Sequence, residues 1–127
     1  MQATNKDILA SGPALSTLME CDLPARVSLL LDRIAPVFDE EVERIQKYRQ
    51  KIAHKMDALE EDESVSNEEK QEQFLELQAE HKELMEDEVA LPGPDNKIPF
   101  EKIESASLSA YKLNALSWLV DIESVEL

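Results

Sequence analysis

The stretch that decides the fold is residues 44–88, RIQKYRQKIAHKMDALEEDESVSNEEKQEQFLELQAEHKELMEDE. Residues 44–55 hold five cations and no acid, whereas residues 57–88 hold fourteen acids and two lysines. A basic half-helix followed by an acidic one is typical of a helical hairpin, because the opposite charges then face each other. If the turn lies between residues 63 and 64, residue i faces residue 127 − i. This register predicts cross-helix ion pairs that join Lys55 to Glu72, Lys51 to Glu76, Lys47 to Glu80 and Arg44 to Glu83.

An apolar repeat runs through the same region and predicts where the two helices meet. In the first helix an apolar residue recurs at every seventh position, which is the heptad spacing of a coiled coil. The predicted seam of the hairpin consists of Leu31, Phe38, Ile45, Ile52, Leu59, Phe74, Leu77 and Leu84. Such a seam can close within one chain, or between two copies as a four-helix homodimer, and both alternatives stay open.

The helix caps, prolines, glycines and apolar spacing along the chain predict one all-α domain over residues 1–127. Short N-terminal helices are expected at 4–22, interrupted at Ser11-Gly12-Pro13 because proline and glycine disfavour a helix interior. The hairpin helices are predicted at 24–60, with a kink near Pro36, and at 66–88, with Ser66 as the N-cap. Residues 89–104 are predicted as loop, with a small β-hairpin between 88–91 and 97–100. A last helix, 105–121, is apolar nearly all round and is expected to pack on the N-terminal elements and on the first half of the long helix.

Composition restricts the classes of function. The net charge of −15 disfavours direct binding to nucleic acids and to anionic membrane surfaces, because both are polyanions. No stretch is apolar enough for a signal peptide or a membrane span, and the single cysteine, Cys21, suits a reducing compartment. We therefore expect a cytoplasmic protein without disulfides, in which Cys21 is a small buried hydrophobe.

No catalytic, metal-binding or cofactor-binding motif is recognisable. His54 and His81 are the two histidines, and the hairpin register separates them by about 12 Å along the helix axis, too far to share a metal ion. With two glycines the chain lacks a phosphate-binding loop, and its many carboxylates are predicted on helix surfaces rather than in a pocket. Catalytic residues, metal ligands and cofactors are therefore all predicted to be absent.

The acidic surface is the strongest candidate for function. Two groups of acids are predicted to bind a partner protein, and their charge favours a basic one. They are Glu60, Glu61, Asp62, Glu63, Glu68, Glu69 and Glu72 at the hairpin tip, and Glu86, Asp87 and Glu88 near its base. The competing interpretation is a solvated and partly ion-paired surface without a partner. Mimicry of nucleic acid is a further alternative, which the pairing of the shaft acids weakens.

Two short segments and the order of the elements resemble a known group of proteins. Ser11-Gly12-Pro13-Ala14-Leu15 is followed by Leu23-Pro24 and a long charged helix, and a Glu-rich helix and short extended segments precede Leu108-Ser109. This organisation resembles small uncharacterised helical accessory proteins of tailed phages. The resemblance implies a phage origin and a non-enzymatic accessory role, with no catalytic residues to transfer.

The sequence and the resemblance leave three candidate functions. The first is an accessory protein that binds a host protein or defence complex and inhibits or modulates it. The second is a structural or chaperone-like protein in phage assembly that oligomerises through its heptad seam. The third, a metal-dependent or hydrolytic enzyme, has the least support, because the chain shows no site for it.

Overall fold

A computed structural model describes residues 1–94 and 96–122, and most of them are helical. The predicted predominantly α-helical fold is thus confirmed. The elements are β1 (Gln2–Thr4), α1 (Asn5–Met19), α2 (Ala25–Glu61), α3 (Asn67–Glu86), β2 (Glu88–Ala90), β3 (Ile98–Pro99), two 3₁₀ turns (Phe100–Lys102 and Glu104–Ala106), α4 (Ala110–Ala115) and β4 (Val120–Asp121).

The two longest helices, α2 and α3, contact each other and are joined by the short connection 62–66. The far end of α2 lies beside the start of α3, where Met56 and Phe74 line one groove, and Gln46 lines another groove with His81. The two helices therefore run in opposite directions. Their bounds lie within two residues of the predicted ones, and Ser66 caps α3 by accepting a hydrogen bond from the Glu69 N–H at 3.3 Å. α2 continues as helix through Pro36.

The N-terminal region corrects the prediction of two short helices within 4–22. A single helix, α1, passes through Ser11-Gly12-Pro13. Thr4 and Asp7 begin it with a capping box, in which each side chain bonds to the backbone of the other. Pro13 lies on the exposed side, and the buried face includes Ile8, Leu15 and Leu18. Each buried side chain contributes about 1.5–3 kcal/mol, so together they offset the roughly 3 kcal/mol that an interior proline costs.

The extended segments also pair differently from the predicted β-hairpin. Segments 88–90 and 98–99 are indeed strands, but they do not pair with each other. β2 pairs antiparallel with β1, so that Ala3 lies opposite Val89, and β3 pairs parallel with β4, so that Ile98 lies opposite Val120. The reason is that both partners are distant in sequence and bring buried side chains, which a local hairpin would leave uncovered.

The predicted C-terminal helix 105–121 is much shorter than expected. Ser107 adopts a left-handed conformation, φ 50°, which ends the second 3₁₀ turn. Ser109 then caps α4, which has only six residues. After α4, turns and β4 carry the apolar residues Leu116, Trp118, Leu119 and Val120 into the core. The packing of this C-terminal region is as predicted. α4 contacts α1, and Trp118 stacks on Phe38 in the first half of α2 with ring centroids 6.3 Å apart.

The core lies at one end of the molecule. It joins α1, the first half of α2, the α4 region and both strand pairs, and it extends along α2 as far as Ile45. We call this part the end module, and we call residues 46–83, which comprise the rest of α2 and most of α3, the shaft. Within the shaft only Ile52 and Leu59 are buried. The shaft therefore presents most of its side chains to solvent.

Candidate protein-binding surfaces

The seven acids predicted at the hairpin tip are all exposed and lie around the end of α2 and the start of α3. We call this set, Glu60, Glu61, Asp62, Glu63, Glu68, Glu69 and Glu72, the acidic tip. The turn itself is ordered by Asp62, whose Oδ1 accepts hydrogen bonds from the Ser64 N–H at 3.0 Å and from the Ser64 hydroxyl at 2.5 Å. These bonds favour the carboxylate and lower the pKa of Asp62.

The second predicted acidic group is separate from the tip. Glu86, Asp87 and Glu88 have exposed side chains at the junction of α3 and β2. Their backbone belongs to the end module, because the Asp87 carbonyl accepts from the Asn5 N–H at 2.9 Å and Glu88 lies opposite Thr4. Eighteen helical residues separate Glu68 from Glu86, a distance of about 27 Å. The two groups therefore do not form one site.

The predicted cross-helix ion pairs are not formed. Among the described residues, the ion pairs of the shaft and its base are those that Arg44 makes within α2, with Glu41 at 2.5 Å and Glu40 at 3.9 Å. An exposed ion pair gains little in water and requires two long side chains to be ordered, so charge complementarity alone does not fix such pairs. The one described bond from a cation across the tip is that of Lys70 Nζ to the Glu60 carbonyl, at 3.1 Å. Most shaft charges thus face water.

The predicted seam is buried on α2 but not on α3. Leu31, Phe38, Ile45, Ile52 and Leu59 are all buried. On α3, Leu77 and Leu84 are half-buried. Phe74 is 41% exposed and lines a groove with Met56 and Leu59, so it lies at the edge of the seam and not inside it.

The geometry of α3 explains this difference. Successive residues turn by about 100°, so Leu77 and Leu84 share one face, Phe74 lies at its border and Leu75 points away from it. α2 covers the face of Leu77 and Leu84, whereas Leu75 is 57% exposed and lies near the side that carries Glu68 and Glu72. Two exposed apolar side chains, Phe74 and Leu75, thus lie on adjoining sides of α3 beside the acidic tip, and we call this pair the apolar strip.

A second surface, which the sequence did not indicate, is a groove between the start of α2 and a facing segment, of which residues 94 and 96–102 are described. The groove has a volume of about 660 Å³, and its apolar lining includes Val27, Leu29 and Ile98. Four cations also line it, Arg26 and Arg33 from α2 and Lys97 and Lys102 from the facing segment. We call it the cationic groove. The seven-residue spacing of the two arginines was the one available signal, because it places both on one helix face.

Gly93 holds the facing segment against α2. It adopts φ 130°, a conformation that favours glycine, and a β-carbon there would lie 2.8 Å from Leu30 Cδ1. No side chain other than hydrogen fits this position without displacing Leu30. The wall of the cationic groove therefore depends on a long-range contact that the local sequence does not reveal.

Among residues 1–94 and 96–122, no group of three or more histidine, cysteine, aspartate or glutamate side chains is arranged to hold a metal ion. Within the same residues, none of the helices combines the length and apolarity needed to cross a membrane. Comparison with protein-family models, with curated proteins and with solved structures finds no match to this chain.

Proposed function

We propose that this chain is a non-catalytic accessory protein that binds another protein through the shaft. The observation that carries the proposal is the apolar strip of Phe74 and Leu75 beside the acidic tip. Both side chains are large and more than two-fifths exposed, and no residue of α3 is fully buried. Exposed aromatic and aliphatic side chains that adjoin charged residues are typical anchors of protein interfaces.

The charge of the surface defines the chemistry of the partner. The acidic tip contributes seven carboxylates, and among the described residues none of them is in an ion pair within 4.0 Å. A partner with a basic rim around an apolar pocket would complement this surface and would be steered toward it at low ionic strength. In keeping with the resemblance to phage accessory proteins, we propose that the partner is a host protein in the cytoplasm and that binding inhibits or modulates it.

A capture experiment followed by a binding measurement tests this function. The tagged wild-type chain and the Phe74→Ser/Leu75→Ser variant are used to capture proteins from host lysate, and the captured partner is then purified and titrated by calorimetry. We expect the variant to weaken binding at least tenfold, and higher salt to weaken wild-type binding. Tyr111→Ser is the matched control, because Tyr111 is an exposed aromatic residue on the end module.

Two results would contradict the proposal. One is a lysate that yields no specific partner, and the other is an equal loss of affinity in the control variant. Both variants remove exposed side chains, so circular dichroism is expected to show an unchanged fold in each.

A second function, assembly through the shaft, is favoured by its uncompensated charges. Lys47, Lys51 and Lys55 are exposed on α2 and lack the predicted partners on α3. A second copy could supply those partners and cover the apolar strip, which would complete a four-helix coiled-coil dimer with α2 bent at Pro36. Light scattering over a range of concentrations separates the functions, because a chain that stays monomeric is incompatible with assembly through the shaft.

A further inference from the structure

The cationic groove has an unusual charge for this protein. The whole chain carries a net charge of −15, yet four of its thirteen lysines and arginines line this one groove. No acid occurs among the described lining residues. The four cations make no ion pair with any described residue. Among the described lining residues, nothing cancels the positive charge of the groove.

The backbone of α2 adds to this potential. Arg26 lies in the first turn of α2, where the helix dipole disfavours a cation, and that turn contains no acid. Pro24 is the N-cap and provides no side-chain hydrogen bond. A negatively charged ligand at this end of the groove would therefore interact favourably with both the helix dipole and the Arg26 guanidinium.

The lining of the groove is partly apolar. The side chains of Val27 and Ile98 are buried, whereas Leu29 is 52% exposed. Exposed apolar surface in a concave site can be covered by the apolar part of a ligand. A complementary ligand would therefore combine apolar atoms with negative charge.

We propose that the cationic groove binds an acidic amphipathic segment of a partner protein. Its apolar side chains would cover Leu29, and its carboxylates would pair with the arginines on one wall and the lysines on the other. Arg26 and Arg33 lie about 10 Å apart along α2, which matches several carboxylates on one peptide and exceeds the reach of one fatty-acid headgroup. A nucleic acid fits less well, because the described lining contains no aromatic side chain for base stacking.

This site is independent of the surface proposed for the shaft. Leu29 and Glu60 are thirty-one residues apart on α2, a distance of about 46 Å along a helix, and the two surfaces have opposite charge. Partners could occupy both at once, so that the chain would bring together a basic protein at the tip and an acidic segment at the end module.

Binding of a synthetic peptide tests the proposal. The probe is a fluorescein-labelled 18-residue peptide with a leucine stripe flanked by glutamates, titrated with the full chain and followed by fluorescence anisotropy. We expect saturable binding that weakens at least tenfold in Arg26→Ala/Arg33→Ala and in Leu29→Ser. The matched controls are Arg49→Ala/Lys51→Ala, which removes equal charge from the shaft, and Met19→Ser on α1, and both are expected to bind like wild type.

Four outcomes would overturn the proposal. Equal weakening by the shaft control would mean unspecific attraction, and equal binding of a peptide with lysine in place of glutamate would exclude charge recognition. Dodecanoate or single-stranded oligonucleotide that binds more tightly than the peptide would assign the groove to another ligand class. Self-association that Arg26→Ala/Arg33→Ala abolishes would identify a second copy as the occupant. Circular dichroism verifies that each variant is folded.

Discussion

A single hydroxyl group connects the two ends of the chain, and its removal gives the sharpest test of the fold. The Ser11 side chain is completely buried, and its Oγ accepts a hydrogen bond from Trp118 Nε1 at 2.7 Å. The same hydroxyl lies 2.9 Å from the Ala115 carbonyl and also contacts the Asp7 carbonyl. We predict that Ser11→Ala destabilises the protein, because the buried indole N–H then has no partner.

The expected loss is about 2–3 kcal/mol. An unsatisfied buried donor costs about 1–3 kcal/mol and the lost bond to a carbonyl about 1 kcal/mol. The better helix propensity of alanine returns less than about 0.7 kcal/mol. At roughly 4 °C for each kcal/mol in a domain of this size, the melting temperature falls by about 8–12 °C. Urea unfolding followed by circular dichroism at 222 nm measures the free energy directly.

A double-mutant cycle separates this hydrogen bond from other effects. Trp118→Phe removes the donor, so Ser11→Ala costs less in that background, and the coupling free energy is expected to be about 1–2 kcal/mol. Ser16→Ala is the control, because Ser16 is exposed on the same helix. The reasoning is refuted if Ser11→Ala unfolds at the same urea concentration as Ser16→Ala, or if the cycle is additive.

Three further predictions concern the loop, the shaft and the tip. Gly93→Ala is expected to lower the unfolding free energy by about 1–3 kcal/mol, because Gly93 has a positive φ. Gly12→Ala is expected to raise it by about 0.5–1 kcal/mol, since a β-carbon there would meet no atom within 4 Å. Melting temperatures that change in the same direction in both variants would contradict this prediction. Ile52→Ala removes a side chain that is 5% exposed and should cost about 2–4 kcal/mol in urea, so an unchanged transition would mean that α3 does not pack on it. Ser64→Ala removes the hydroxyl that bonds to Asp62 and is expected to return the lowered pKa of Asp62 toward 3.8 in an NMR titration. Since the pKa of Asp62 is lower in the folded state, its hydrogen bond with Ser64 stabilises the tip above the unfolded pKa. That stabilisation is lost as the pH falls through the folded pKa.

Features that depend on neighbouring residues were predictable from the sequence. Local signals include the seven-residue spacing from Leu31 to Leu59 and the cap at Ser66. The bounds of α2 and α3 lie within two residues of the predicted ranges 24–60 and 66–88. The exposure of the acidic tip follows equally from its charge, because burial of unpaired carboxylates is strongly unfavourable.

Features that depend on distant residues were not predictable. Pro13 signals a break, but the helix continues because Ile8 and Leu15 are buried on its other face. Nothing in residues 88–100 indicates that their partners are residues 2–4 and 120–121. The cationic groove was not predictable for the same reason, because the contact of Gly93 with α2 places its second wall.

The sequence separation of these contacts has a consequence for folding on the ribosome. The shaft closes over short distances, as from Lys70 to Glu60, whereas the bond from Ser11 to Trp118 spans 107 residues. Local contacts form quickly, and contacts that close long loops form slowly. The shaft and the contacts of α1 with α2 and α3 can therefore form while synthesis continues, but the contacts of α1 with α4 and with Trp118 form only after residues 110–118 emerge. During translation the part of α1 that α4 covers thus stays open to aggregation or to a chaperone.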